Sequence, residues 1–281
     1  MCDQDYANAL LPGALSRREF GKIGLGVGFA ALLPRGANAA EVTESEVSIK
    51  TPDGNCDAHF VHPTTGAHAA VLVWPDIFGL RPAFETMGKR LAEEGYAVLT
   101  VNPFYREKKA PTSEGTTFNQ SMMQMMNALT ADGEARDAKA FIAWLDAQKA
   151  VDTKKKVGTT GYCMGGPIVL RTAGAVPARV GAAATFHGAS LTTDKADSPH
   201  LQIAKTKASY LICIADSDDQ KDPASKDILN KTFTDAKLTH EVEVYKGAQH
   251  GWCAIDTQAY NKELAEKAWA RQLALFKKAL A

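Results

Sequence analysis

At 281 residues, 45% hydrophobic and 23% charged, the chain has the make-up of an ordinary globular protein and room for one large α/β domain. Its 32 Lys and Arg balance 32 Asp and Glu, a formal net charge of +0, so neither a disordered tail nor a nucleic-acid-binding surface is indicated and a small-molecule partner is expected. No apolar run reaches the ~18 to 20 residues that would span a membrane, and no repeat of solenoid period is visible.

The first 39 residues differ from the rest. Ser16-Arg17-Arg18-Glu19-Phe20-Gly21-Lys22 leads into the apolar Ile23 to Leu33 and then Ala37-Asn38-Ala39, a basic pair, an apolar stretch and a small-x-small cleavage site. The arrangement resembles a twin-arginine export signal. A short amphipathic helix is the alternative, but Gly24, Gly26 and Gly28 make a poor helix interior. Residues 1–39 are therefore read as a signal and 40–281 as the mature domain, carried folded by the twin-arginine machinery to the periplasm or outside the cell.

Along the mature chain, eight runs rich in Val, Ile, Leu and Ala predict strands: Glu46 to Lys50, Cys56 to His62, Ala69 to Trp74, Ala97 to Asn102, Lys156 to Gly161, Val180 to Phe186, Tyr210 to Ala215 and Glu241 to Tyr245. The first two are joined by Thr51-Pro52-Asp53-Gly54, a turn sequence, and predict an antiparallel hairpin. Helix-patterned stretches at Pro82 to Glu94, Gly133 to Gln148 and Tyr260 to Leu280 alternate with the later strands. Strand alternating with helix implies a mostly parallel sheet covered on both faces. The segment from Arg106 to Thr130, with Met122, Met123, Met125 and Met126, is too long for a plain connection and reads either as a lid or substrate wall or as a helix burying methionines in the core.

Chemistry concentrates at Gly161-Tyr162-Cys163-Met164-Gly165-Gly166, which follows a strand and precedes the apolar helix start Pro167-Ile168-Val169-Leu170. This is the G-x-C-x-G form of a nucleophile elbow, in which a sharp strand-to-helix turn exposes the tip residue and demands small neighbours. A thiol at a helix N-terminus sits where free N–H groups and the helix dipole favour thiolate and oxyanion, and the Met164 N–H is a candidate oxyanion donor. Such a nucleophile needs a base and a group that orients it, in the order nucleophile, acid, histidine. Asp216-Ser217-Asp218-Asp219 follows the seventh predicted strand, and Gly247-Ala248-Gln249-His250-Gly251-Trp252 follows the eighth. His250 is the expected base and Asp218 the expected acid, with Asp216 or Asp219 as alternatives. His187, closing the sixth strand, is expected just behind the reacting groups. Four mature cysteines permit two disulfides, yet a domain of this size needs no staple, and Cys213 reads as a packed thiol inside a strand.

Four motifs, in order along the mature chain, resemble the dienelactone hydrolase family: Pro75-Asp76-Ile77-Phe78-Gly79-Leu80-Arg81, Gly161 to Gly166, Ala215 to Asp218, and Gly247-Ala248-Gln249-His250-Gly251. The resemblance implies an α/β-hydrolase fold, no cofactor, and opening of an ester or lactone through a thioacyl-enzyme. It implies Cys163 as nucleophile, His250 as base, Asp218 as its orienter, and the N–H groups of Ile77 and Met164 as the oxyanion hole. Asp76 stands where the family carries a Glu that meets the resting thiol. The family grips its substrate carboxylate with two arginines; here Ala254 takes one place, and Arg106 follows Tyr105 directly, one residue off the family spacing. Arg81, Tyr105, Arg106 and Trp252 join Asp76 and His187 as candidate substrate-side residues. Two other readings of an exposed thiol remain, a redox or peroxide-reactive protein, for which Cys253 could lie near, and a silent binding protein on the same fold.

Overall fold

The computed structural model describes residue 33 and residues 39–281, so the export-signal reading, with Arg17 and Arg18, falls almost wholly outside the described residues. All eight predicted strands are present: β1 (Val42–Thr51), β2 (Gly54–Pro63), β3 (Ala70–Trp74), β4 (Ala97–Val101), β5 (Val157–Tyr162), β6 (Val180–Phe186), β7 (Ser209–Ala215) and β8 (His240–Tyr245). They form one sheet in the order β1-β2-β4-β3-β5-β6-β7-β8. β1, β2 and β4 pair antiparallel, and every pair from β4 through β3 to β8 is parallel. The expected hairpin closes at Gly54, whose φ of 140° is one that side-chain-bearing residues rarely adopt.

Helices cover both faces: α1 (Pro82–Glu93), α2 (Gln120–Ala128), α3 (Ala131–Asp146), α4 (Gly165–Ala175), α5 (Asp216–Lys221), α6 (Ser225–Asp235) and α7 (Lys262–Ala279), with a 3-10 turn at Pro199–Lys205. Their starts follow local chemistry. Pro82 occupies the first turn of α1, and Asn119, Thr130 and Asn261 accept from Met122, Gly133 and Leu264 N–H groups at 3.1 Å, capping α2, α3 and α7.

β3 shows how the layers are built. Ala70, Leu72 and Trp74 enter the core that holds Phe141 of α3 and Ile168 of α4, whereas Val71 and Val73 enter the core that holds Phe84 and Leu91 of α1 and Phe276 of α7. Alternate residues feed opposite faces, and both faces are apolar because both are covered. The buried centre leaves the carboxyl ends of β3, β5, β6, β7 and β8 to open into loops at one edge, the edge at which open α/β sheets bind ligands.

Candidate active site

β5 ends at Tyr162, and the chain turns at Cys163 with φ 53°, a left-handed conformation that a cysteine adopts only when its surroundings impose it. The glycines explain how the turn fits. A Cβ on Gly161 would lie 2.3 Å from the Gly165 carbonyl oxygen, and one on Gly165 would lie 2.3 Å from the Trp74 carbonyl oxygen. Any larger residue would push α4 off β5 and β3. The turn is tied by Cys163 N–H to the Phe186 carbonyl at 3.0 Å and by Gly166 N–H to the Cys163 carbonyl at 3.0 Å.

The loop after β8 brings His250 to the same edge. Its backbone N–H donates to Ser217 Oγ at 2.9 Å, and its Nδ1 donates to Asp218 Oδ2 at 2.7 Å. Asp218 lies in α5, 9% exposed, directly behind the ring. The other acids of this loop are engaged elsewhere: Asp216 accepts from Lys246 Nζ and Gly247 N–H, and Asp219 from Lys226 Nζ. His250 is also within hydrogen-bonding reach of the Cys163 thiol. Burial, the largest influence on its pKa, pulls it down, but the electrostatic pull of Cys163 and the hydrogen bonds to Asp218 and Cys163 outweigh it and push it up to about 10. Beside it His187, 1% exposed, is held well below its ordinary pKa by burial and by the His250 charge, and its ring meets those of His250 and Trp252 edge-on at 5.1 Å. It is a neutral, packed imidazole.

Cys163, His250, Asp76, Ile77, Met164 and His187 border one cavity of about 380 Å³, within the size range of small-molecule sites. The N–H groups of Phe78 and Gly79 are used on Asp76, whereas those of Ile77 and Met164 make no hydrogen bond among the described residues. Asp76 turns its carboxylate to Arg81, with Nη1 to Oδ1 at 2.6 Å and Nη2 to Oδ2 at 2.9 Å. Arg81 in turn donates from Nε and Nη2 to Asp256, at 2.7 and 2.9 Å, and so joins the β3 loop to the loop after His250.

Four of the sequence-predicted candidates stand off the cavity. Arg81 is behind Asp76, and Trp252 is fully buried against Tyr245. Tyr105 bonds to Thr51 and Asp137, and Arg106 to Asp53 and Asp137, away from the cavity lining. In their stead the lining includes Phe118, Met123, Met126, Leu129, Glu134 and Arg171, residues that no motif marks because they come from helix faces and connections remote in sequence from the elbow. The methionine segment divides between its two readings, with Met122 and Met125 in the core and Met123 and Met126 on the cavity. Cys56, Cys163, Cys213 and Cys253 are all free, and Cys253 packs among Tyr162, Phe186 and Trp269, outside the cavity that Cys163 borders. Among the described residues no group of three or more His, Cys, Asp or Glu could hold a metal ion, and no helix is long and apolar enough to cross a membrane.

Comparison with known proteins agrees with the motifs. A model of the Dienelactone hydrolase family matches residues 56–280. The chain is 27% identical to the "Putative carboxymethylenebutenolidase" of Methylorubrum extorquens, over 96% of this chain and 95% of the relative. It is 25% identical to the carboxymethylenebutenolidase of Rhodococcus opacus, over 86% of this chain and 96% of the relative. The crystal structure of the dienelactone hydrolase-like promiscuous phosphotriesterase P91 from metagenomic libraries shares the fold, with a TM-score of 0.71 and 23% identity over 85% of this chain and 99% of that one.

Proposed function

Since this chain belongs to the dienelactone hydrolase family and is a hydrolase, we propose that it cleaves a carboxylic ester or lactone through a thioacyl-enzyme on Cys163. The observation that carries the reading is a thiol at a strained strand-to-helix tip, facing a histidine whose far nitrogen donates to a buried carboxylate at 2.7 Å. That arrangement gives the histidine a fixed tautomer and orientation.

In this reading His250 holds the proton taken from Cys163. The thiolate attacks the carbonyl carbon, the C–S bond forms, and the carbonyl oxygen takes the charge. The N–H groups of Ile77 and Met164, both at the cavity and both free of other acceptors, are the donors for that oxyanion. As the C–O bond breaks, the His250 imidazolium gives its proton to the leaving alkoxide. Water then attacks the thioester and loses its proton to His250, the C–S bond breaks, and the thiolate returns with the carboxylic acid released. Asp218 stays ionised and holds the ring. His187, neutral and packed on His250, limits how that ring can tilt.

Replacing Cys163 with Ala should abolish hydrolysis of p-nitrophenyl acetate, by ~10⁴-fold or more where the partners act as a unit. A folded Cys163→Ala protein that keeps most of its activity would sink the assignment. We also propose, from Arg17-Arg18 and Ala37-Asn38-Ala39, that the protein is exported to the periplasm or outside the cell with removal of residues 1–39, so changing Arg17 and Arg18 to Lys should leave full-length precursor in the cytoplasm.

A further inference from the structure

The cavity lining is chemically mixed. Beside Cys163 it carries the polar Asp76, His187 and His250, and it also includes Phe118, Leu129 and three residues of α2, Met123, Met126 and Asn127. Helical spacing sets which side chains α2 presents: Met122 and Met125, 2% and 6% exposed, face the core, and Met123 and Met126 face the cavity half-buried. Phe118, Met123, Met126 and Leu129 are the apolar part of this lining, which, being rich in thioethers, adapts to ligand shape.

Each arginine near the site already has a carboxylate beside it. Arg171, on the cavity wall, donates from Nη1 to Glu134 at 2.7 Å, while its Nε makes no hydrogen bond among the described residues. Arg81 is bridged between Asp76 and Asp256, and Arg106 is held by Asp53 and Asp137. Lys195 lies at the exposed rim. A carboxylate carried into the interior would lose its hydration and find each of these guanidiniums already facing a carboxylate, that of Glu134 itself on the cavity wall.

We propose that the site selects uncharged esters bearing an apolar arm, seated on Phe118, Met123, Met126 and Leu129, and discriminates against substrates with a free carboxylate. The inference rests on Cys163 being the nucleophile, and it adds the substrate class. Each methylene buried on the wall should raise kcat/KM by about fourfold. The slope ends where the arm fills the cavity.

The test uses the full chain with two ester series of matched lengths, p-nitrophenyl acyl esters from acetate to hexanoate and alkyl acetates, so that the arm is found whether it is the acyl or the alcohol part. At least one series should climb with chain length, and the p-nitrophenyl monoester of adipic acid should be cleaved at least tenfold more slowly than the hexanoate. A Met123→Gln, Met126→Gln double variant should flatten the climb, because it keeps side-chain length and removes apolarity, while the Met123→Leu, Met126→Leu counterpart should keep it. Modification of Cys163 by N-methyl-, N-propyl- and N-hexylmaleimide, followed by mass spectrometry, reads the same preference without turnover and should quicken in that order. Two flat series, a faster adipate ester, or maleimide rates independent of chain length would overturn the proposal. Hydrolysis that survives in Cys163→Ala would overturn the nucleophile instead, and the maleimide series would still judge the apolar wall.

Discussion

Arg81 is the most heavily bonded charge near the site, and replacing it with Met should cost more stability than any change to the surface. The guanidinium is 5% exposed and donates to both oxygens of Asp76, to both oxygens of Asp256, and from Nη1 to the Gly79 carbonyl at 3.1 Å. It also lies 4.8 Å over the Phe84 ring. Burial works against its charge, but the two carboxylates outweigh that and raise its pKa further. Methionine would fill the volume and leave Asp76 and Asp256, 4% and 12% exposed at the side chain, facing each other without a cation. Removing one partner of a buried ion network costs about 3–5 kcal/mol, a large part of the ~5–15 kcal/mol that holds a domain together. For a domain of this size that corresponds to a fall in melting temperature of roughly 6 to 20 °C. Circular dichroism melts of wild type and Arg81→Met measure it directly. Adding Asp76→Asn and Asp256→Asn to Arg81→Met should restore part of the loss, because the cost lies in the stranded charges. A fall below about 1 kcal/mol, or no recovery in the triple variant, would refute the reasoning.

Because the His250 pKa is raised in the folded state, from 6.5 to about 10, its contribution to stability is complete below the unfolded value and is lost as pH climbs through about 10. Urea midpoints of wild type should therefore fall relative to His250→Gln across that interval. In Cys163→Ala the partner that lifts this histidine is gone, and its titration followed by NMR should move to lower pH. Gly165→Ala drives a methyl to within 2.3 Å of the Trp74 carbonyl oxygen and 2.8 Å of the Pro75 carbonyl oxygen, so it should destabilise by about 1–3 kcal/mol and lower kcat by displacing the elbow from the Ile77 loop. Arg106→Gln should lower the melting temperature by unlinking Asp53 of the β1–β2 turn from Asp137 of α3, while KM for a neutral ester stays within about twofold; a large rise in KM would put Arg106 back among the substrate contacts.

Local pattern made the strands and the elbow legible, and long-range pairing hid the rest. The runs at β3 and β4 are buried throughout, and apolar but for Thr100, because both faces are covered, so each was visible along its length. β1 is longer than its hydrophobic run suggested: Thr43, Glu44 and Ser45 carry no apolar signal and are strand only because β2 pairs with them, Val42 opposite Pro63. Cys163 and His250 could be read because an elbow and a histidine after the last strand are fixed by chain order. The Asp256 that locks Arg81 could not, since it lies 175 residues away in a loop without a motif. The methionines of α2 posed a different difficulty. Two faces of one helix do opposite jobs there, and only the packing separates 122 and 125 from 123 and 126.

Cys163 and His250, the proposed nucleophile and base, ride on strands with very different protection. β5 has neighbours on both sides, β3 and β6, whereas β8 closes the sheet and pairs with β7 alone. The residues of β8 are half-buried up to Tyr245, and its outer face is pinned to α7 by the ion pairs Lys267–Glu243 and Arg271–Glu241, of the surface kind that add little and weaken with salt. Amides of β8 should exchange with solvent through small openings long before those of β5, which wait for the whole domain to unfold. Mild denaturant or warm salt would then carry His250 away from a Cys163 that is still in place, and inactivation would precede the loss of secondary structure.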